Sequence, residues 1–194
     1  MVGQAWAGHL AFNDELVREG EAPLGLAAYL TSGHFLSALA ENWESEFLQM
    51  GMYVLLTVSL RQRGSAESRP FSPAKEEERV DSGPTPWPLR AGGIWRTLYA
   101  NSLSIALLAM FALAFVVHAW QSWRLELAER EASGLAPIAL YEHLSGAQFW
   151  FESMQNWQSE FLAVLTLVVL SIFLRQDKSP QSKPLEAPHR QTGT

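Results

Sequence analysis

Leu103-Ser104-Ile105-Ala106-Leu107-Leu108-Ala109-Met110-Phe111-Ala112-Leu113-Ala114-Phe115-Val116-Val117 contains no charged residue, and none occurs back to Thr97. From Thr97 to His118 this makes about 22 residues, a helical rise of about 33 Å against a hydrocarbon core of about 30 Å. Tyr99 and Trp120 stand near its two ends, where amphipathic rings favour the membrane interface. The stretch therefore reads as a transmembrane helix over 97–117, and the chain as an all-α integral membrane protein.

Working outward, the chain repeats itself. Asn42-Trp43-Glu44-Ser45-Glu46-Phe47-Leu48 returns as Asn156-Trp157-Gln158-Ser159-Glu160-Phe161-Leu162. Each copy leads into an apolar run that ends in Arg-Gln, at Arg61-Gln62 and Arg175-Gln176. The same register pairs Ala5-Trp6 with Ala119-Trp120, Pro23 with Pro137, Phe35 with Phe149, Ser65 with Ser179 and Pro70 with Pro184. About a third of positions 2–70 are identical to their partners, which marks an internal duplication of long period. The runs at 43–60 and 157–174 are short. Counted from their tryptophans to the closing arginines, about 18 residues each, they too read as spans.

The expected architecture is thus a helix bundle of two tandem repeats with external amphipathic helices. The first repeat covers 1–61, with an external segment and the span 43–60. The second covers 97–176, with the spans 97–117 and 157–174 around another external segment. A counterpart of the helix at 97–115 would fall before Met1, so the first helix of the first repeat is expected to be missing. Residues 62–96 hold Pro70, Pro73, Pro84, Pro86, Pro88 and the run Lys75-Glu76-Glu77-Glu78-Arg79. That composition buries too little apolar surface to offset ordering entropy, so a flexible linker is expected, and 177–194 reads likewise as a disordered tail.

Composition narrows the function classes. Of 194 residues, 48% are hydrophobic and only 18% charged, with the apolar residues gathered in blocks. A net charge of -6 argues against a nucleic-acid partner, which would call for a basic patch. The absence of cysteine removes disulfides, thiolate metal sites and cysteine nucleophiles. Lys and Arg concentrate in 61–96 and 175–190, while the external segments carry only Arg18, Arg124 and Arg130. By the positive-inside rule the linker and C-terminus are expected to be cytoplasmic, and both Asn-Trp segments to lie outside.

Thr31-Ser32-Gly33-His34-Phe35, the first Asn-Trp motif through Met50, Gly64-Ser65-Ala66-Glu67-Ser68, Phe149-Trp150-Phe151-Glu152-Ser153 and Gln155 through Leu162 carry a resemblance. Together they resemble a bacterial membrane family of unknown function. The resemblance implies two tandem copies of helix, external segment and helix, and it implies no activity.

Within the motif, Asn42, Ser45 and Glu46 share one helix face, as do Asn156, Ser159 and Glu160. Trp43, Phe47, Trp157 and Phe161 form an adjacent stripe of interfacial aromatics. The polar stripe reads first as an interhelical packing network, with the stripes of the two copies expected side by side. The alternative makes Glu46 and Glu160 a proton or cation site of a small oligomeric transporter. His9 and His34 with Asp14, Glu41 and Glu44 invite a metal. However, His34 becomes Gln148 and Glu41 becomes Gln155 in the other copy, so neither metal nor cofactor is expected. His118 and His143 read as interfacial or surface residues. No nucleophile motif and no carboxylate–histidine constellation is evident, so the expected role is a non-enzymatic envelope structural or interaction protein. Its partners would be the lipid bilayer and either further copies of itself or another membrane protein.

Overall fold

A computed structural model describes all residues except 1, 19, 67, 70, 72–82, 193 and 194. Eight helices and no strand occur among the described residues. In chain order they are α1 Val2–Arg18, α2 Leu26–Tyr29, α3 Gly33–Ser59, α4 Trp87–Ala91, α5 Gly93–Ala100, α6 Ser102–Ala132, α7 Leu140–Ser145 and α8 Ala147–Phe173. Two of them, α6 and α8, are long and apolar enough to cross a membrane.

Internal contacts divide the chain into two compact units. The first comprises Met1–Glu46 with Met110–Asn156, the second Phe47–Ala109 with Trp157–Thr194.

Element bounds recur at a fixed offset. Helix α3 begins at 33 and α8 at 147, 114 residues on, and each is 27 residues long. The glycine that ends the helix before them is left-handed in both places, Gly20 at φ 82° and Gly134 at φ 67°. Its close follower donates back to the helix in the same way, Glu21 N to Leu16 O and Leu135 N to Arg130 O, both 2.8 Å. After the long helices, Gln62 N donates to Ser68 Oγ at 2.9 Å and Gln176 N to Ser182 Oγ at 2.8 Å. Gly64 at φ 87° is matched by Lys178 at φ 64°, a left-handed lysine.

Three segments differ from the sequence expectation. The helix expected over 97–117 is broken at Asn101, whose side chain donates to Thr97 O. Residues 93–100 thus form a separate α5, and the continuous helix starts at Ser102 and runs on to Ala132. The linker expected over 62–96 carries α4 and the start of α5, because the apolar cluster Trp87, Leu89, Ile94 and Trp95 interrupts its polar composition. Its charge run at 75–79 lies outside the described residues. The expected disordered tail is held by Lys183, which is 1% exposed. The Lys183 ammonium donates to the carbonyls of Gly64, Ile172, His189 and Gln191 at 2.6–3.3 Å. Burial, with the nearby Arg175 charge, pushes its pKa down. Four carbonyl acceptors offset much of that desolvation.

Candidate functional site

The first unit contains two helix–turn–helix corners, one at α1–α2–α3 and one at the end of α6 with α7 and the start of α8. Both are closed by a ring N–H that reaches a loop carbonyl. His9 Nε2 bonds Leu24 O at 2.7 Å, and Trp123 Nε1 donates to Ile138 O at 3.0 Å, again 114 residues on. Inside that shared frame the side chains differ.

In the first corner the space is filled with rings. Tyr29 is 2% exposed, with its centroid 5.7 Å from Phe12, 5.4 Å from Phe35 and 5.9 Å from His34. Its phenol lies against Gly8, where an added Cβ would sit 2.3 Å from the hydroxyl oxygen. A side chain at residue 8 would displace the tyrosine hydroxyl, which occupies that position.

At the corresponding places of the second corner stand Ser122, Glu126, His143 and Phe149. The His143 ring keeps the tyrosine's relation to the phenylalanine, with centroids 5.4 Å apart. Its Nδ1 lies 2.6 Å from Glu126 Oε2 and its Nε2 2.9 Å from Ser122 Oγ. With the imidazole neutral, the carboxylate accepts from Nδ1–H and Nε2 accepts the serine proton; with it protonated, both ring nitrogens donate and the serine proton turns to Ala119 O, 3.4 Å away. Arg130 Nε donates to the other Glu126 oxygen at 2.9 Å and fixes the carboxylate. Ser122 and Glu126 sit one turn apart on α6, so their common face follows from helical spacing alone.

Ser122, Glu126 and His143 line a cavity of about 790 Å³. Its wall also carries Glu41, Glu129, Glu142 and Glu152, against Arg130 as the one Lys or Arg among the described lining residues, so the space is acidic. The first turn of α8, at Ala147, Gln148 and Phe149, lines the same cavity. First-turn N–H groups have no carbonyl one turn back. The first corner caps this position with Ser32, whose Oγ accepts from Phe35 N at 3.2 Å. The second has Gly146, where a Cβ would come within 3.0 Å of His143 O.

A second buried pair lies in the first unit. His118 and Glu44 are both 0% exposed, joined Nδ1 to Oε2 at 2.8 Å, and the imidazole stacks on Phe149 at 5.0 Å. His118 Nε2 is buried with no hydrogen-bond partner among the described residues. Glu41 precedes the apolar part of α3, and its pKa is raised chiefly by burial. The carboxylates of Glu152 and Glu44 push it further up, while His118 and a hydrogen bond from Asn156 oppose the rise.

The residues singled out by repetition are placed as follows. Asn42 donates to Ala38 O on its own helix at 2.7 Å, and buried Ser45 to Asn42 O at 2.8 Å. Glu46 is exposed and Trp43 is 40% exposed, while Phe47 is half-buried. Asn156 donates to Glu41 and, at 3.4 Å, to Glu152 O. In the second unit Ser159 is exposed, the Glu160 carbonyl accepts from Gln49 Nε2 at 2.8 Å, and Trp157 and Phe161 are partly exposed. The carboxylate buried within the motif is thus Glu44. His118 and His143, expected near the surface, are both buried, because each has a glutamate that satisfies its Nδ1–H. No group of three potential metal ligands occurs among the described residues.

Residues 1–194 match the family described as domain of unknown function DUF6766, and the chain belongs to that family. No curated protein and no solved structure matches it.

Proposed function

We propose that this chain is a multi-pass protein of the bacterial cytoplasmic membrane, built from two tandem copies of one helical unit. The corner of the first copy is packed, and that of the second opens onto a ligand-binding cavity on the outer side, with Glu41 of the first copy in its wall. The observation that carries this reading is the contrast between the two corners: one backbone frame is packed with Tyr29 in one place and opened around Ser122, Glu126 and His143 in the other. The recurring helix bounds, left-handed residues and turn hydrogen bonds support the duplication. The length of α3, equal to that of α8, supports a third span at 43–60. The basic residues of 61–69 and 175–190 support a cytoplasmic placement of both chain segments that follow the long helices.

A cavity of this volume, lined by both polar and apolar groups, suits a molecule of drug size. Its acidic wall favours a neutral or cationic ligand over an anion. The expected non-enzymatic role rested on the lack of a carboxylate–histidine constellation; with Ser122, His143 and Glu126 within hydrogen-bond reach, that ground falls away. Conduction through Glu46 and Glu160 finds no comparable support, since Glu46 is exposed.

The cysteine-free sequence makes the topology testable. Single cysteines at Glu21 and Gln148, both exposed, should react with a membrane-impermeant maleimide on intact cells, while one at Gln181 should react only after permeabilisation. The reverse pattern, or equal labelling at all three, would overturn the proposed arrangement.

A further inference from the structure

Three features of the second corner are independent of the duplication: a hydroxyl on an imidazole, a carboxylate behind that imidazole, and a cavity in front of the hydroxyl. Ser122 Oγ, His143 Nε2, His143 Nδ1 and Glu126 Oε2 follow one another at 2.9 Å and 2.6 Å in the order a nucleophile, its base and the base's orienting group require. Arg130 anchors the far end. Packing alone would not demand this sequence of groups, since the other corner fills the same frame with Phe12, Tyr29 and Gly8.

From this we infer that Ser122 is a nucleophile and that the cavity hydrolyses a neutral or cationic carboxylic ester, an inference that rests on reading the cavity as the working site. Ser122 Oγ attacks the carbonyl carbon as its proton passes to His143 Nε2. Glu126 holds the imidazole in the receptive tautomer and stabilises the imidazolium that forms. The carbonyl oxygen becomes an oxyanion, for which the uncapped first-turn N–H groups of α8 are the backbone donors in the cavity wall. Collapse breaks the ester C–O bond; the leaving alcohol takes the proton from His143, and the acyl group remains on Ser122. Water then attacks the acyl carbon, gives a proton to His143, and releases the carboxylic acid while the proton returns to Ser122. Four carboxylates around the site, Glu41, Glu129, Glu142 and Glu152, disfavour an anionic substrate. Helix α6 carries Ser122 five residues beyond the end of the apolar run at Val117, about 7–8 Å along the axis, so an ester that partitions into the interface reaches the level of the serine.

The test uses the full chain in detergent micelles with an alkyl fluorophosphonate and, separately, p-nitrophenyl butyrate. The expected result is a covalent adduct mapped to Ser122, absent in Ser122→Ala, and p-nitrophenol release lost in the same variant. Glu126→Gln should slow both by at least tenfold. His143→Gln serves as a second variant should Glu126→Gln not fold, and thermal melting reports folding for each. A folded wild-type protein with no Ser122 adduct, or an adduct formed equally fast in His143→Gln, overturns the inference, as does an adduct without ester turnover. A Ser122→Cys thiol that is modified from solution, in a protein whose native Ser122 stays unlabelled, would remove the nucleophile and leave the binding cavity standing.

Discussion

Tyr29 and His143 occupy corresponding corners of the first unit, each against a phenylalanine at a ring distance of 5.4 Å. Around Tyr29 the neighbours are Gly8 and Phe12; around His143 they are Ser122 and Glu126. The tyrosine corner is stabilised by apolar contact and ring packing, whereas the histidine corner depends on satisfied polar groups beside open space. The two corners keep corresponding backbone and ring hydrogen bonds while the side chains inside them differ. Under the proposed duplication, function is to be sought where the copies diverge.

The largest effect is expected from emptying each corner in turn. Tyr29→Ala removes a buried aromatic from a packed cluster and should cost about 3–5 kcal/mol. His143→Ala borders an existing cavity and should cost about 1–3 kcal/mol, mainly through groups left unpaired. Melting temperatures in one detergent check the order; equal losses, or a larger loss at His143, would mean that both corners are structural core.

A smaller effect sharpens the comparison at the motif helices. Glu41 corresponds to Gln155 in the other copy, and burial raises its pKa from the ordinary 4.5. A carboxyl with a raised folded value contributes its stability below 4.5 and loses it as pH climbs through the folded value. Glu41→Gln keeps an acceptor for Asn156 and removes that loss. The variant should therefore melt higher than wild type at pH 7–8, with the gain shrinking towards pH 4. A gain that is constant with pH, or a destabilisation at pH 8, would show that the charged form of Glu41 is favoured in the fold.

Much of the architecture was legible in the sequence. The charge-free run at 103–117, the Gly20-Pro23 and Gly134-Pro137 breaks and the Asn-Trp motifs mark where helices α1, α3, α6 and α8 lie or end. Asn101 was not, because one polar residue within an apolar run does not by itself reveal a break. The site was missed for a physical reason. Repetition points to Asn42, Ser45, Glu46, Asn156, Ser159 and Glu160, residues that both copies share, while Ser122, Glu126 and His143 have Gly8, Phe12 and Tyr29 as counterparts. Ser122 and Glu126 at i and i+4 were a readable signal. His143 joins them only through the turn at Gly134 and the short helix α7, a tertiary contact that spacing does not encode.

Whether the second corner is open and acidic where the first is filled can be read from the chemistry of one engineered thiol. Ser122→Cys in native membranes, with no other cysteine in the chain, is treated with cationic and anionic methanethiosulfonates of matched size. Reaction is expected without denaturant, and faster with the cationic reagent because Glu41, Glu129, Glu142 and Glu152 line the approach. A thiol that reacts only after unfolding, or that prefers the anionic reagent, would contradict it.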